Sequence, residues 1–238
     1  MLLSTITIIV PTLNEAENVD LLLERILRVR QSSNLDFDIL FVDSASADAT
    51  CDRVLAWQDK APVRLLRQEF DIGLAGAVTA GARYTDAEYV LVMDADLSHP
   101  PESIPKLLQP LLDGTFDMVI GSRYVEGGSL PDWPFLRRLS SRIATLPALL
   151  FCSVKDPLAG FFAVQRRRLT DLSDSVPGFK IGLAILAEYG RDIRVTEIPI
   201  EFRDRDYGYS KMNHRVALAY LKQLITLCFK CKAKGLTR

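Results

Sequence analysis

Residues 89–96 read Tyr-Val-Leu-Val-Met-Asp-Ala-Asp, an apolar run that ends abruptly in two aspartates. A run of this length is typical of a buried strand, and similar runs recur along the first half with helical spacing between them. The predicted strands are Ile6–Val10, Phe37–Val42, Val63–Leu66, Tyr89–Met93 and Met118–Ile120, and the predicted helices are Glu17–Arg30, Asp48–Lys60, Leu74–Tyr84 and Pro101–Leu112. This alternation predicts an α/β fold with a mostly parallel central sheet flanked by helices.

Polar residues collect where the predicted strands end. The segments concerned are Pro11–Glu15, Asp43–Asp48, Asp94–Asp96 and Gly121–Arg123. The carboxyl ends of parallel strands meet at one edge of the sheet, and ligands of open α/β sheets bind there. We therefore expect these four segments to form a single site.

Asp94 and Asp96 are suited to holding a divalent cation together with a diphosphate. Hard oxygen ligands select Mg²⁺ or Mn²⁺, and phosphate oxygens can fill the remaining coordination positions. A cation held there stabilises the charge that develops on a leaving diphosphate. The alternative, a helix N-cap followed by a solvated turn, is disfavoured because the pair lies among other polar strand ends.

Three cations are candidates for phosphate binding. Arg123 follows Gly121 and Ser122 at a strand end, where a guanidinium can pair with phosphate. Arg205 and Lys211 flank a loop rich in glycine and tyrosine that could close over a bound diphosphate.

Composition limits the possible functions. The 29 Lys and Arg residues nearly balance the 30 Asp and Glu residues, so no long-range field for binding nucleic acid is expected. The four cysteines are too scattered for a disulfide framework, which favours a reducing compartment. Residues 1–10 lead directly into a strand and lack the features of a signal peptide, and no run of 18 uncharged apolar residues occurs.

The second half is predicted to be more varied. A helix from Trp133 to about Phe151 follows a glycine-rich loop, another is predicted at Ile181–Tyr189, and a long strand is predicted at Ile193–Phe202. His99 and His214 are interpreted as structural residues.

Several ordered motifs resemble those of family 2 glycosyltransferases with the GT-A fold. They are Pro11-Thr12-x-Asn14-Glu15, Asp43-x-x-Ser46-x-Asp48-x-Thr50, Asp94-Ala95-Asp96-Leu97-x-His99-Pro100-Pro101-Glu102 and Gly121-Ser122-Arg123-Tyr124. Further stretches resemble the polyprenyl-phosphate sugar synthases of that family, of the dolichol-phosphate mannose synthase type. These are Gly127-Gly128, Trp133-Pro134-Phe135, Asp156-Pro157, Gly160-Phe161-Phe162, Gly178-Phe179-Lys180-Ile181 and Ser210-Lys211. The resemblance extends from Ile6 to about Lys211.

The resemblance implies a role for each matching residue. The nucleoside-binding positions are Pro11, Leu13, Glu15, Val42, Asp43 and Ser44, with Ala95 against the ribose. Asp94 and Asp96 match the metal and diphosphate site, and Arg123, Arg205 and Lys211 match phosphate-binding positions. Arg137 and Ser141 match positions that meet the lipid phosphate.

Two residues depart from the family pattern. Ser44 replaces a second aspartate, which leaves the identity of the nucleotide open between GDP-mannose and a UDP-sugar. Ser98 stands where a glutamine usually ligates the metal, so we expect Asp94 and Asp96 to hold the cation with a shorter third ligand, with water filling the gap or weaker binding.

The expected acceptor is a polyprenyl phosphate. A hydroxyl acceptor needs a general base, and many relatives place a carboxylate near position 180, whereas residues 178–183 here contain none. A phosphate is already anionic and needs no base. Attack opposite the leaving nucleotide predicts inversion at the anomeric carbon, with Arg137 and its neighbours Arg138 and Arg142 serving the acceptor.

Two segments favour peripheral attachment to a membrane surface. Residues 133–143 alternate aromatic, basic and apolar side chains, and the predicted helix at 216–229 is apolar and followed by a basic tail. We expect a catalytic GT-A domain at residues 1–211 and a C-terminal amphipathic helix with a basic tail at residues 212–238. The expected location is the cytoplasmic, inner face of a membrane, with a membrane-protein partner as a further possibility.

Two alternatives stay open from the residues alone. One is a glycosyltransferase that acts on a glycan hydroxyl, which would require the base not found above. The other is a nucleotide-sugar-binding protein without turnover, which Ser44 and Ser98 favour.

Overall fold

A computed structural model describes residues 5–131, 133–172, 180–204 and 214–233. Within these ranges the strands form a seven-stranded sheet of order β3-β2-β1-β4-β6-β5-β7. Their bounds are β1 Ile6–Thr12, β2 Asp38–Asp43, β3 Val63–Arg67, β4 Tyr89–Val92, β5 Met118–Ser122, β6 Phe162–Gln165 and β7 Val195–Pro199. The α-helices are α1 Ala16–Ser33, α2 Thr50–Leu55, α3 Gly73–Tyr84, α4 Ile104–Leu112, α5 Phe135–Thr145, α6 Arg167–Thr170, α7 Ile181–Tyr189 and α8 His214–Ala233.

The expected mostly parallel sheet is confirmed. Strands β1 to β4 are mutually parallel where they pair, and β5 pairs in parallel with β7. Strand β6 runs antiparallel to both β4 and β5, so β4 and β5 share one direction although β6 separates them. The first five strands therefore end at the same edge, and the residues that precede β6 reach that edge as well.

Helices cover both faces of the sheet because side chains alternate along each strand. In β1, Ile8 packs in the core beneath α1 and α4, whereas Ile9 packs in the core on the opposite face with α3 and α7. Helix α3 approaches the sheet closely at Gly81, where an added Cβ would lie 2.9 Å from Ile9 Cγ2 and 3.0 Å from Val42 Cγ2.

Two predicted elements of the second half are shorter than expected, whereas the helix predicted at Ile181–Tyr189 is confirmed. The helix that begins near Trp133 ends as an α-helix at Thr145 and continues as a 3₁₀ helix, Leu146–Leu150. Pro147 explains this change because it lacks an N–H and its ring clashes with the preceding turn. The strand predicted at Ile193–Phe202 is confined to Val195–Pro199. Beyond it the Ile200 N–H still donates to Ser122 O at 3.0 Å, and Glu201 forms an isolated bridge with Ser129.

Helices α5 and α8 carry an unusual number of exposed apolar side chains. The large ones, including those of the 3₁₀ turn between residues 146 and 150, are Phe135, Leu136, Leu139, Ile143, Leu146, Leu149, Leu150, Leu218, Leu221, Ile225 and Phe229. We call this set the apolar surface. In the described part of the chain, no helix combines the length and the hydrophobicity needed to cross a membrane.

Candidate active site

The acidic turn after β4 is held in one conformation by Ser98. The Ser98 backbone N–H and hydroxyl both donate to Asp96 Oδ1, at 3.1 and 2.6 Å, and Leu97 adopts a left-handed φ of 62° between them. Asp96 is buried, whereas the Asp94 side chain is 31% exposed. Ser98 thus fixes the orientation of the Asp96 carboxylate. Its hydroxyl oxygen keeps lone pairs, and its assignment as a metal ligand stays a prediction.

His99 holds the backbone of Asp94 in place by a hydrogen bond. The Asp94 backbone N–H donates to His99 Nδ1 at 2.9 Å, which places the ring proton on Nε2, 3.9 Å from Asp94 Oδ2. The imidazole is buried and stacks on Phe161 with ring centroids 5.0 Å apart. Burial lowers the pKa of His99 despite the nearby carboxylates, so the ring is neutral at pH 7. These contacts agree with the structural role expected for His99.

The oxygen donors of this turn fit a divalent cation that also binds a diphosphate. Among the described residues no cluster of three or more His, Cys, Asp or Glu side chains could enclose a metal ion. Asp94 and Asp96 alone would leave coordination positions for phosphate oxygens and water, as Mg²⁺ prefers. Gly160 keeps the adjacent space open, since a Cβ there would lie 3.3 Å from the His99 ring and 3.6 Å from Asp94 Oδ2.

Arg123 is locked in a buried ion pair with Asp156. Its Nε and Nη2 donate to the two carboxylate oxygens at 2.8 and 2.7 Å, and its backbone N–H donates to Oδ2 at 3.0 Å. The Asp156 side chain is 0% exposed and that of Arg123 is 11% exposed. Burial opposes the charge of Arg123, but the hydrogen bonds and charge of Asp156 prevail and raise the pKa of the guanidinium. A phosphate would therefore approach a cation that already has a partner.

Lys180 is a second residue whose place in the site the sequence interpretation missed. It directly precedes α7, and the charges of Arg123, Asp94 and Asp156 act on its ammonium. Burial, reinforced by Arg123, lowers the pKa of Lys180 to about 8, although both carboxylates oppose the shift. Both Asp156 and Lys180 occur in motifs that carried the family resemblance, but their contacts span elements distant in the sequence.

The residues expected to bind the nucleoside lie at the paired ends of β1 and β2. Pro11 is opposite Val42 and Thr12 is opposite Asp43 in the parallel register. Pro11, Leu13 and Glu15 are partly exposed, whereas Val42, Asp43, Ser44 and Ala95 are buried. The structure thus brings this group together beside the acidic turn.

The Asp43 carboxylate organises the loop that follows β2. Its Oδ1 accepts the Ser46 backbone N–H at 2.9 Å, and its Oδ2 accepts the hydroxyls of Thr12 at 3.1 Å and Ser46 at 2.5 Å. The loop in turn bonds to the end of β1, because the Asn14 backbone N–H donates to Ser46 Oγ at 2.8 Å. Asp43 therefore shapes the nucleoside region through backbone contacts, and any direct contact with a base stays a prediction.

The predicted acceptor residues lie at the same edge. Arg137 donates to both carboxylate oxygens of Asp204, at 3.1 and 2.8 Å, and its guanidinium lies 4.0 Å from the centre of the Trp133 ring. Ser141 Oγ is 2.7 Å from the hydroxyl of Tyr124. The Arg137–Asp204 pair is partly exposed, with side-chain exposures of 39% and 45%, so an incoming anion can compete for the arginine.

A chain of ring contacts connects the acceptor residues to the acidic turn. The Trp133 ring is 5.6 Å from the ring of Phe202, which is 5.5 Å from the ring of His99. The guanidinium of Arg123 stands 5.5 Å from the same Phe202 ring. Arg205 and Lys211 lie outside the described residues, but the chain before them reaches the turn, since the Arg203 backbone N–H donates to Ser98 O at 3.3 Å.

The Arg123–Asp156 pair predicts a large difference between two ion-pair variants. Asp156→Ala should lower the free energy of unfolding by ~3–5 kcal/mol, because it leaves a buried guanidinium unpaired. Asp204→Ala removes a partly exposed pair and should cost only ~0–1 kcal/mol. Urea unfolding followed by circular dichroism measures both values. Equal and small losses would show that the Arg123–Asp156 pair does not stabilise this part of the structure.

Comparisons with known proteins identify the family of the chain. The model of glycosyl transferase family 2 matches residues 7–182. The chain is 37% identical to a Pyrococcus furiosus dolichol-phosphate mannosyltransferase over 93% of its own length, although it spans only 63% of that protein. It is 35% identical to the Saccharomyces cerevisiae dolichol-phosphate mannosyltransferase, over 97% of this chain and 90% of that protein.

A solved structure shows the same fold. Glucosyl-3-phosphoglycerate synthase from Mycobacterium tuberculosis, in complex with Mn²⁺, UDP and phosphoglyceric acid, superposes with a TM-score of 0.72 at 21% identity. The match covers 94% of this chain and 78% of the synthase. The GT-A fold that the motifs imply is therefore confirmed. With three quarters of its length inside the family model, the chain belongs to glycosyl transferase family 2 and is a glycosyltransferase.

Proposed function

We propose that this protein is an inverting glycosyltransferase that moves mannose from a nucleotide-sugar to a polyprenyl or dolichyl phosphate at a membrane surface. The observation that carries the proposal is that two groups of residues suited to binding phosphates lie side by side at one edge of the sheet. Asp94 and Asp96 suit a metal-bound diphosphate, and Arg137 suits a second phosphate beside it. The relatives named dolichol-phosphate mannosyltransferase support the choice of sugar and lipid.

The donor would occupy the ends of β1, β2 and β4. In this proposal the nucleoside lies against Pro11, Leu13, Glu15, Val42, Asp43 and Ser44, with its ribose near Ala95. Asp94 and Asp96, with Ser98, would hold Mg²⁺ or Mn²⁺, which when bound stabilises charge on the leaving diphosphate. Arg123, Arg205 and Lys211 would bind phosphate oxygens. The donor is GDP-mannose or a UDP-sugar.

The acceptor would be held by Arg137 and Ser141. A lipid phosphate that displaces Asp204 gains a bidentate arginine contact at a site lined by the Trp133 ring. Ser141 is tied to Tyr124, which packs beneath Arg123 at 5.2 Å, so the acceptor residues adjoin the donor cation.

The carboxylates near the acceptor residues favour a phosphate over a hydroxyl. Among the described residues, Asp156 pairs with Arg123, Glu197 accepts the backbone N–H groups of Lys155 and Asp156, and Asp204 pairs with Arg137. Each of these three carboxylates is already engaged by a cation or by backbone N–H groups. A phosphate oxygen is anionic at neutral pH and can attack the anomeric carbon directly, opposite the leaving nucleotide. Catalysis then rests on orienting two anions and neutralising their charge.

The apolar surface supports attachment to a membrane. Its exposed side chains on α5, the turn at 146–150 and α8 surround the basic residues Arg137, Arg138 and Arg142. An apolar surface with cations at its margin suits the interface of an anionic bilayer. We propose peripheral attachment to the cytoplasmic, inner face, with residues 1–211 as the catalytic domain and residues 212–238 as the membrane element. A membrane-protein partner could share this surface.

Transfer to lipid phosphate can be measured directly. The protein is incubated with radiolabelled GDP-mannose, UDP-glucose or UDP-N-acetylglucosamine, short polyprenyl phosphate and Mn²⁺, and label entering the organic phase is counted. We expect GDP-mannose to give the product, and both Asp96→Ala and removal of Mn²⁺ by EDTA to abolish it. Absence of a lipid product with every donor would overturn the proposed function.

Arg137→Ala tests the division between donor and acceptor residues. We expect the KM for polyprenyl phosphate to rise at least tenfold, which corresponds to about 1.4 kcal/mol of lost binding energy. Binding of GDP with Mn²⁺, measured by calorimetry, should be unchanged because the metal site is intact. An equal loss of GDP affinity would contradict the assignment of Arg137 to the acceptor.

Membrane attachment can be tested by sedimentation with vesicles. The double variant Phe135→Ser and Leu136→Ser removes two side chains that are each 75% exposed and should lower binding to anionic vesicles by at least tenfold. Phe70→Ser is the matched control, because Phe70 is 68% exposed but follows β3, away from the apolar surface. Equal binding by the double variant and the wild type would contradict the role of α5.

A further inference from the structure

Gln223 is a fully buried polar residue on a helix whose outward side is apolar. It is 0% exposed, whereas Leu221 and Ile225 on either side are each at least half exposed. Its two amide atoms grip a single residue, since Oε1 accepts the Lys180 backbone N–H at 3.1 Å and Nε2 donates to Lys180 O at 2.8 Å. Burying an amide is costly unless both ends are bonded, so this contact fixes α8 against the start of α7.

The backbone of Lys180 determines where its ammonium is directed. Helix α7 begins at Ile181 and is buried from Ile181 to Ala187, so packing holds its axis in place. Lys180 itself has the non-helical angles φ −107° and ψ 88°, and helix α7 restrains only its carbonyl oxygen, which accepts the Ala184 N–H at 3.2 Å. The amide of Gln223 contacts this backbone on both sides, at the Lys180 N–H and at the Lys180 carbonyl oxygen.

The Lys180 ammonium is the group that the contact with Gln223 would position. The start of α7 adjoins the acidic turn, because a Cβ at Gly182 would lie 3.4 Å from Ala159 O and one at the neighbouring Gly160 would lie 3.6 Å from Asp94 Oδ2, a proposed metal ligand. At this place the charges of Arg123, Asp94 and Asp156 act on the Lys180 ammonium. Because Arg123 is already paired with Asp156, Lys180 adds positive charge where the diphosphate and the acceptor phosphate would meet.

We infer that Gln223 is a positioning residue that aims Lys180 at the reacting phosphates, so that the membrane-facing helix α8 is part of the active-site assembly. The inference rests on the proposed function and adds to it a phosphate-neutralising lysine and a coupling between α8 and the site. Helix α8 is also tied to the end of α5, because the Tyr220 hydroxyl donates to Ala144 O at 2.7 Å. The two helices of the apolar surface and Lys180 therefore form one connected unit.

A double-mutant cycle on the full-length protein tests this inference. We expect Gln223→Met to lower kcat for lipid-phosphate transfer about 10-fold to 100-fold, because a small displacement of a charged group costs this much. Lys180→Met should lower kcat at least as far. Adding Gln223→Met to Lys180→Met should cause no further loss, since Gln223 acts through Lys180.

Leu227→Ala is the matched control. Leu227 is buried on the same helix, about one turn beyond Gln223, in one apolar cluster with Leu183 and Ala187. It loosens the packing of α8, so any effect on kcat should multiply with that of Lys180→Met. If Gln223→Met behaves in the same multiplicative way, or leaves kcat at the wild-type value, the inference is wrong.

A second variant and a second measurement keep the outcomes separate. Gln223→Glu keeps an acceptor for the Lys180 N–H and should therefore retain more activity than Gln223→Met. If Gln223→Met fails to fold, Gln223→Glu takes its place in the cycle. Should the wild type transfer no sugar to lipid, the proposed function fails. The cycle is then repeated with the affinity for GDP in the presence of Mn²⁺ as the measured quantity. Lys180→Met and Gln223→Met should each weaken this affinity, and the double variant should bind no more weakly than Lys180→Met alone. Additive losses of binding free energy would show that Gln223 does not act through Lys180.

Discussion

The parallel direction of β1, β2, β4 and β5 is the constraint on which the rest of the structure depends. It brings the carboxyl ends of these strands to one edge, where the chain can leave the sheet in polar turns. Strand β6 adds to the same edge by running in the opposite direction between β4 and β5. The approach to β6 therefore carries Asp156 and Gly160 to the acidic turn, and a parallel β6 would have placed them at the far edge.

Each of the two arginines at this edge of the sheet is paired with its own aspartate. Asp156 compensates Arg123, Asp204 compensates Arg137, and Ser98 orients Asp96 by two hydrogen bonds. Buried charges require such partners, because an isolated ion in a site of low dielectric is strongly destabilised. The partly exposed pair at Arg137 is the one that an anion can open at small cost. This difference in burial separates a fixed cation near the proposed donor site from an exchangeable cation near the proposed acceptor site.

The sequence predicted those parts of the site that depend on local pattern. Short hydrophobic runs separated by helical patterns predicted β1 to β5, and the polar residues at the strand ends indicated Asp94 and Asp96. Both predictions follow from the spacing of residues close together in the sequence. The direction of β6 was not predicted, since pairing between distant strands leaves no local pattern. The contacts of Asp156 with Arg123 and of Lys180 with Gln223 join residues 33 and 43 positions apart and were missed for the same reason. The sequence around position 180 shows the absence of a carboxylate, but no local pattern there indicates the long-range contacts of Lys180.

The central claim is that a phosphate, already charged, attacks the sugar without a general base. Comparing polyprenyl phosphate with the polyprenol of equal chain length tests it most directly, because the two acceptors differ only in the attacking group. With the same nucleotide-sugar and Mn²⁺, the account predicts glycosylated product in the organic phase from the phosphate and none from the alcohol. Glycosylation of the polyprenol at a comparable rate would contradict it, since that reaction requires a base to remove the hydroxyl proton.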